Sequence, residues 1–433
     1  MKIGFVSLGC AKNLVDSEKI MGMLKEGGHE FVSKPSDAEA IIINTCGFIQ
    51  SAKEEAINTI LEMAEYKKKN CKKLIVCGCL AQRYKEDLEK EMPEVDRFIA
   101  IREYPQLHEI LKEELQIPLH VYGKSERLSS GKPWTAYLKI AEGCSNRCTY
   151  CAIPLIRGEN VSVPMEDLVE EAKDLASKGV KELVVIAQDT TKYGIDLYHR
   201  YALLELLEKL NEINGIHWIR ILYMYPDEIS DELIEGMKKL DKVLPYFDIP
   251  MQHSDARMLK LMNRRGDEHT VRQLIKKIRD TFEEPTLRTT YIVGFPTESK
   301  QDFDKLCDFV KEIRWNKMGA FTYSIEEDTP AYDMEQTVSE EEKKERLDVL
   351  MSLQSEISYM NNRQLAGKTI EVLVEGKDGL SDKYVGRGRM HAPDDVDGIV
   401  VFTSMKHLEL GSFVHVKVND ADEYDLYGEL EEA

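Results

Sequence analysis

The 433-residue chain has no apolar run that approaches the length of a membrane span, no low-complexity tract and no repeated unit. A spanning helix needs about 20 consecutive apolar residues, so the sequence predicts no membrane segment. The N-terminus opens with the strand-like stretch MKIGFVSLG and has no signal-peptide pattern. We therefore expect a cytoplasmic globular protein, and the chain length predicts about two to four domains.

Positive charge is scarce relative to negative charge. The chain holds 58 Lys and Arg against 78 Asp and Glu, which gives a formal net charge of −20. A protein that binds nucleic acid neutralises phosphates with Lys and Arg, so this balance disfavours a nucleic-acid partner and favours a basic one. The nine cysteines are an odd number, and without an export signal they favour a reducing compartment and metal binding over disulfides.

Three cysteines lie on one short stretch. Cys144, Cys148 and Cys151 have the spacing C-x₃-C-x₂-C, and no matching ligand pair follows at the usual distance. Structural zinc needs a closed set of four ligands, whereas a four-iron cluster held by three thiolates leaves one iron free to bind a cofactor. With Tyr150 as the aromatic residue, the stretch is similar to the C-x₃-C-x-(aromatic)-C signature of radical S-adenosylmethionine (SAM) enzymes. Buried or disulfide cysteines are the alternative interpretation.

Three further cysteines follow predicted strands in the N-terminal part of the chain. Residues 1–125 alternate β-branched apolar strands with helices, which predicts an open, doubly wound α/β domain. Cys10, Cys46 and Cys79 each come after one of these strands. Because ligands of open parallel sheets bind at the carboxyl ends of strands, we expect a second three-thiolate site here. Strand periodicity does not choose between Cys77 and Cys79, and small apolar cysteines at strand ends are the alternative.

Residues 134–335 alternate six strand patterns with helical patterns, and the first strand runs directly into the Cys144 stretch. This alternation predicts a partial parallel (β/α)6 barrel. Polar residues recur at the predicted carboxyl ends of its strands, where a barrel enzyme places its chemistry. These residues are Gln188, Asp189, Tyr225, Gln252, His253, Gly294 and Glu326.

The C-terminal part begins with a predicted linker helix over residues 339–365, which Ser339 and Glu342 open with a capping pattern. Residues 366–433 then hold five short strand patterns separated by Gly- and Asp-rich turns, which predicts a small antiparallel β-barrel. This segment has seven Lys and Arg against fifteen Asp and Glu, a net charge of −8 that would repel phosphate. A merely solvated acidic surface is the alternative.

The order of these segments and their motifs resembles that of the methylthiotransferases over essentially the whole chain. The matching motifs lie at residues 7–13, 44–49, 78–83, 143–144, 153–154 and 157–158. The resemblance implies that Cys79 is the third N-terminal ligand and that the C-terminal barrel is a TRAM domain. It also implies two 4Fe–4S clusters, an external electron donor and two SAM molecules, one as methyl donor and one as radical source.

Three motifs are similar to the branch of this family that modifies an aspartate of a ribosomal protein. They lie at residues 187–194, 223–226 and 248–253, where the tRNA-modifying branches have other sequences. The acidic barrel agrees, because ribosomal proteins are basic and complementary charge steers such encounters. The resemblance implies methylthiolation of the β-carbon of an aspartate in the twelfth protein of the small ribosomal subunit. A tRNA adenosine methylthiotransferase and a non-catalytic iron–sulfur carrier are the alternatives.

Modification of an aspartate β-carbon requires an unactivated C–H bond to be broken. No side-chain base does this at neutral pH, so a cofactor must carry the reaction. We expect SAM to bind the cluster held by the Cys144 stretch, with Tyr150 and the backbone near Gly294 against its adenine. Gln188 would hold its methionyl or ribose end, and no catalytic residue is assigned beyond the cysteines.

Overall fold

A computed structural model of the protein describes residues 1–116, 119, 122, 127–379, 383–393 and 396–431. The predicted domain ends at residues 125 and 433 lie outside the described residues. No helix within these ranges has both the length and the apolar character that crossing a membrane requires.

The N-terminal unit is a five-stranded parallel sheet with helices on both faces. Strands β1–β5 are Lys2–Ser7, Glu30–Phe31, Ala40–Thr45, Lys73–Gly78 and Arg97–Ala100, and helices α1–α4 are Ala11–Glu26, Gln50–Ala64, Cys79–Glu91 and Leu107–Leu115. The strand order is β2-β1-β3-β4-β5. Helices α2 and α3 pack on one face of the sheet and α1 and α4 on the other. The predicted doubly wound domain is therefore confirmed, and its direction of winding switches between β1 and β3.

The central unit contains six parallel strands that alternate with helices. Strands β6–β13 are Thr135–Lys139, Ala141–Glu142, Val161–Ser162, Glu182–Ile186, Trp218–Ile221, Tyr246–Asp248, Thr286–Val293 and Lys317–Thr322. Helices α5–α12 are Ile153–Arg157, Met165–Ser177, Ile195–Tyr198, Leu203–Asn211, Asp231–Met237, Ala256–Leu261, Glu268–Thr281 and Lys300–Ile313.

Six of these strands form the wall of a partial barrel. They run in the order β6-β9-β10 and β11-β12-β13, and a parallel bridge between Ile219 and Val243 joins the two halves. In the described part of the chain the outer strands β6 and β13 do not pair, so the barrel is open on that side. The remaining strands, β7 and β8, pair with each other antiparallel and were not predicted separately. They clamp the two ends of the segment that carries Cys144, Cys148 and Cys151.

A long helix connects the barrel to the C-terminal unit. Helix α13 is Glu340–Arg363, and the Ser339 hydroxyl accepts a hydrogen bond from the Glu342 backbone N–H at its start. Strands β14–β18 are Thr369–Lys377, Lys383–Gly388, Val400–Thr403, Phe413–Ala421 and Leu426–Leu430, and they close into a barrel. The closed five-stranded barrel is confirmed, although one neighbouring pair, β16 and β18, runs parallel. An odd number of strands in a closed ring cannot alternate in direction throughout, which requires this exception.

Candidate active site

The N-terminal cysteines lie together at the carboxyl edge of the parallel sheet. Cys10 follows β1 and caps helix α1, Cys46 follows β3, and Cys79 is the first residue of α3 after β4. Strands β1 and β3 flank the point at which the winding reverses, which is where open α/β sheets bind ligands. Cys77 instead points into the apolar core between the sheet and helices α1 and α4. The structure thus brings Cys10, Cys46 and Cys79 to one edge and leaves Cys77 out.

Two glycines permit this close approach, and sequence reasoning missed both. Gly9 has a φ of +88°, and a Cβ there would lie 2.6 Å from the Cβ of Cys46 and 3.0 Å from its Sγ. At Gly47 a Cβ would lie 2.8 Å from the backbone of Leu80, the residue after Cys79. Each glycine therefore lets one cysteine loop pack against the next. In the sequence, the position of each glycine directly beside a cysteine was the one indication of this packing role.

The thiols of the N-terminal set are electrostatically coupled to one another. Burial raises the pKa of Cys46, and the thiol of Cys10 acts in the same direction. Burial raises the pKa of Cys79 to about 12, while the Arg157 guanidinium opposes this rise. Burial thus disfavours the thiolate forms of Cys46 and Cys79, and a metal that binds these two residues must displace their protons.

The second cysteine set lies on the segment clamped by β7 and β8. The Cys144 N–H donates to the Gly158 carbonyl over 3.0 Å, and the Cys151 N–H donates to the Cys148 carbonyl over 3.0 Å. Burial raises the pKa of Cys151 to about 12, and the thiols of Cys148 and Cys144 contribute to the rise. The three sulfur atoms therefore share one small region, as the spacing predicts.

Within the described residues, no group of three or more His, Cys, Asp and Glu side chains is placed to hold a metal ion. A four-iron cluster is larger than a single ion, and its thiolate ligands stand farther apart than the ligands of one ion. Each set provides three thiols, the donor type that iron–sulfur clusters require. Both sets therefore supply the type and number of donors that a site-open four-iron cluster would need.

Arg264 is a cation beside the second set that sequence reasoning missed. Its Nη1 lies 3.7 Å from the Cys148 Sγ and donates to the Tyr150 hydroxyl over 3.3 Å. Its Nη2 donates to the Pro250 carbonyl over 2.6 Å, and its guanidinium lies 4.2 Å from the centroid of the Tyr225 ring. A fixed positive charge at this position would offset the negative charge of an anionic cluster bound there.

The predicted SAM contacts lie near the second set. The Tyr150 ring meets Phe295 edge-to-face with centroids 6.5 Å apart. The Gln188 amide nitrogen donates to Glu142 over 3.0 Å, while its Oε1 is buried without a partner in the described ranges and is available to a ligand. The Gly294 N–H already donates to Glu298 over 2.6 Å. SAM binding by Tyr150, Gln188 and Gly294 stays a prediction.

Arg157 connects the two cysteine sets. Its Nη2 lies 3.5 Å from the Cys79 Sγ, and its Nη1 donates to Asp16 over 2.8 Å and to Glu142 over 2.9 Å. Lys139 also pairs with both carboxylates. Although burial opposes it, the Lys139 ammonium and the Arg157 guanidinium hold the pKa of Glu142 below its usual range. Since Glu142 precedes Cys144 by two residues, one charged network extends from the first set to the second.

Direct packing reinforces this network. Cys79 forms a small buried cluster with Ala152 and Ile156, and Ala152 directly follows Cys151. On the other side of the interface, the Glu326 carboxylate accepts hydrogen bonds from Lys53 over 3.1 Å and from Arg83 over 2.6 Å. The carboxyl edge of the N-terminal sheet is thus held against the mouth of the barrel.

Two other polar residues of the barrel rim, Asp189 and His253, have internal partners. Asp189 accepts a hydrogen bond from Asn146 of the cysteine segment over 2.7 Å. His253 pairs with buried Glu298 over 3.1 Å. Cys71 and Cys307, which belong to neither set, pack into apolar cores.

The chain matches three known protein families in succession. Residues 2–100 match the uncharacterized protein family UPF0004, residues 138–310 the radical SAM superfamily, and residues 366–430 the TRAM domain. Solved structures with a similar fold include the radical SAM methyltransferase TsrM from Kitasatospora setae, with a TM-score of 0.55 and 11% identity over 87% of this chain and 79% of TsrM. The cobalamin-dependent radical SAM enzyme OxsB gives a TM-score of 0.51 at 12% identity over 82% of this chain and 56% of OxsB. These two likenesses concern the fold alone.

Full-length relatives are far more similar. The chain is 50% identical to the ribosomal protein uS12 methylthiotransferase RimO of Caldicellulosiruptor saccharolyticus, over 99% of this chain and 100% of the relative. It is 48% identical to the protein of the same name from Acetivibrio thermocellus, over 99% of this chain and 98% of the relative. Identity to the Aquifex aeolicus protein of that name is also 48%, over 100% of this chain and 98% of the relative.

Proposed function

Because the chain belongs to the RimO family of ribosomal protein uS12 methylthiotransferases, we propose that it adds a methylthio group to the β-carbon of an aspartate in uS12. Full-length identity of about half to proteins of that name is the observation that carries the proposal. The enzyme is a radical SAM transferase. The three motifs at residues 187–194, 223–226 and 248–253 support the same branch of the family.

A radical SAM enzyme binds a 4Fe–4S cluster and SAM, and Cys144, Cys148 and Cys151 fit this cluster. The second cluster is part of the proposal, and Cys10, Cys46 and Cys79 would hold it. When bound, the clusters and SAM would supply the electron, the hydrogen-abstracting radical, the methyl group and the sulfur. An external electron donor is also part of the proposal.

The remaining residues of the site would orient and shield these groups. Arg264 and Arg157 place one positive charge beside each cysteine set, which favours anionic sulfur ligands. Tyr150 packs beside Phe295 and offers an aromatic surface for an adenine ring. Gln188 is fixed by Glu142 through its nitrogen and leaves its buried oxygen to accept a hydrogen bond from the cofactor. The close packing of Cys79 against Ala152 leaves a short distance between the sites that would supply sulfur and radical.

Charge favours a basic protein over tRNA as the partner. The C-terminal barrel has a net charge of −8 and the chain one of −20, so both would attract uS12 and repel a phosphate backbone. A tRNA-modifying enzyme of similar architecture would need a positive surface for the same encounter.

The test is an anaerobic reaction with reconstituted enzyme, reductant, sulfide and SAM. One tube receives small ribosomal subunits and a second receives bulk tRNA, and mass spectrometry measures a methylthio adduct in each. We expect the adduct on an aspartate of uS12 and none on tRNA. An adduct on tRNA alone would support methylthiotransferase activity but contradict uS12 as the substrate.

A further inference from the structure

Lys12 is a buried cation without an anionic partner among the described residues. It lies in the first turn of helix α1, two residues after Cys10, and the residue is only 8% exposed. Its Nζ lies 3.0 Å from the centroid of the Tyr223 ring. The other buried cations of this interface, Lys139 and Arg157, both pair with carboxylates. Buried charges normally have such partners, so Lys12 is an exception that needs an explanation.

Tyr223, whose ring contacts Lys12, has a strained backbone conformation. Tyr223 has a φ of +62°, a left-handed conformation that is costly for a tyrosine. Its N–H donates to the Asp248 carboxylate over 2.9 Å. Its carbonyl accepts hydrogen bonds from the Thr190 N–H over 3.0 Å and from the Thr190 hydroxyl over 3.1 Å. Backbone strain that its surroundings maintain in this way is found chiefly at functional sites.

The three residues involved come from the three motifs that distinguish the aspartate-modifying branch. Thr190 belongs to the motif at residues 187–194, Tyr223 to the motif at 223–226 and Asp248 to the motif at 248–253. All three motifs therefore meet at Tyr223, whose ring contacts Lys12. An aromatic ring attracts an ammonium group without neutralising it, so the charge of Lys12 is held in place and stays available to an anion.

Resting on the proposed function, we propose that Lys12 binds the side-chain carboxylate of the target aspartate. A carboxylate that enters a buried site loses its hydration and needs a cationic hydrogen-bond donor there. The β-carbon of an aspartate is bonded directly to that carboxylate, so a fixed carboxylate also fixes the reacting carbon. Since Lys12 follows Cys10 by two residues, this carbon would lie next to the N-terminal cysteine set. An adenosine has no carboxylate and would gain nothing from Lys12.

The test is a double-mutant cycle on binding. Reconstituted enzyme and its Lys12→Met variant are titrated, with SAM but without reductant, against labelled uS12 and against uS12 with the target aspartate changed to Asn. We expect wild-type enzyme to bind the Asp form about tenfold or more tightly than the Asn form, the usual size of one charged hydrogen bond. The Lys12→Met variant should bind both forms equally. The Lys12→Arg variant should recover part of the preference, because it keeps the charge.

Lys25→Met is the matched control, because Lys25 lies on the same helix and is exposed. It should keep the wild-type preference. If Lys12→Met does not fold, as judged by its thermal unfolding, Lys12→Gln carries the same test. An undiminished preference in the Lys12 variants would overturn the inference. So would a loss of SAM affinity with the Asp preference intact, because Lys12 would then serve the carboxylate of the cofactor. Failure of the proposed function differs from both: wild-type enzyme would bind neither form of uS12, and the inference would fall with it.

Discussion

The two cysteine sets differ in how the chain builds them. Cys144, Cys148 and Cys151 lie on one segment whose ends are clamped by the short strands β7 and β8. Cys10, Cys46 and Cys79 come from three strand ends far apart in the sequence, and the folded sheet brings them together. The Cys144 set therefore depends mainly on local structure. The N-terminal set depends on the whole N-terminal fold and on glycines that let its loops touch.

The largest expected effects separate the sets by function. Cys148→Ala should abolish reductive cleavage of SAM. The Cys144 segment provides only three thiolates, and the variant would lack one of the three that hold the cluster. Cys46→Ala should retain that cleavage and lose the methylthio product. Chromatography of 5′-deoxyadenosine and mass spectrometry of uS12 measure the two outcomes. Methylthio product from the Cys46 variant would contradict a role for the N-terminal set in the transfer of the methylthio group.

The connection between the sets is tested by Arg157→Met. The change removes a buried cation from Asp16, Glu142 and Cys79, and breaking such a network costs about 3 kcal/mol or more. The midpoint of urea unfolding should fall accordingly. Arg147→Met is the control, because Arg147 and its partner Glu159 are 72% and 66% exposed and such surface pairs contribute about 1 kcal/mol or less. Equal shifts for both variants would contradict a role for Arg157 in joining the sets.

Gly9→Ala should disrupt the N-terminal set alone. The new Cβ would lie 2.6 Å from the Cβ of Cys46, and the φ of +88° adds strain of about 1–3 kcal/mol. Iron bound after reconstitution should fall by about half, because only the clamped set keeps its geometry. Gly131→Ala serves as control, since a Cβ there meets no atom within 4 Å. Full iron content in the Gly9 variant would show that close packing of the loops is not needed.

The smallest effect concerns acid stability. The folded protein keeps Glu142 ionised below its ordinary pKa of 4.5, so the unfolded chain takes up this proton first as the pH falls. The stabilisation from Glu142 is thus complete above that value and is lost below it. The midpoint temperature of thermal unfolding should therefore fall more steeply for the wild-type protein than for Glu142→Gln as the pH is lowered from about 6 to about 3.5. Parallel curves would contradict an ionised Glu142 between the sets.

Sequence patterns predicted those features that depend on local order. The spacing of Cys144, Cys148 and Cys151 indicated one candidate site, and strand ends indicated the other at one edge of the sheet. Strand periodicity did not separate Cys79 from Cys77, and only the family resemblance favoured Cys79. The parallel pair β16 and β18 was missed, although closing an odd number of strands requires it. Periodicity describes single elements and does not describe how a ring of strands must close.

Contacts between distant segments were not predictable from the sequence. Arg157 reaches Cys79 and Lys12 reaches Tyr223 across the interface of two units, and neither pair shares a spacing or a motif. Arg264 approaches Cys148 in the same way. Such contacts depend on how the sheet docks on the barrel, and a charged residue in a sequence does not reveal whether its partner is a solvent molecule or a buried thiol.

The most direct test of the account is the iron and sulfide content of three proteins after anaerobic reconstitution. Wild-type enzyme should bind about eight irons per chain, as expected for two four-iron clusters. The triple variant of Cys10, Cys46 and Cys79 to Ala and the triple variant of Cys144, Cys148 and Cys151 to Ala should each bind about four. About four irons in the wild-type protein, or about eight in the N-terminal triple variant, would contradict the claim that each cysteine set holds its own cluster.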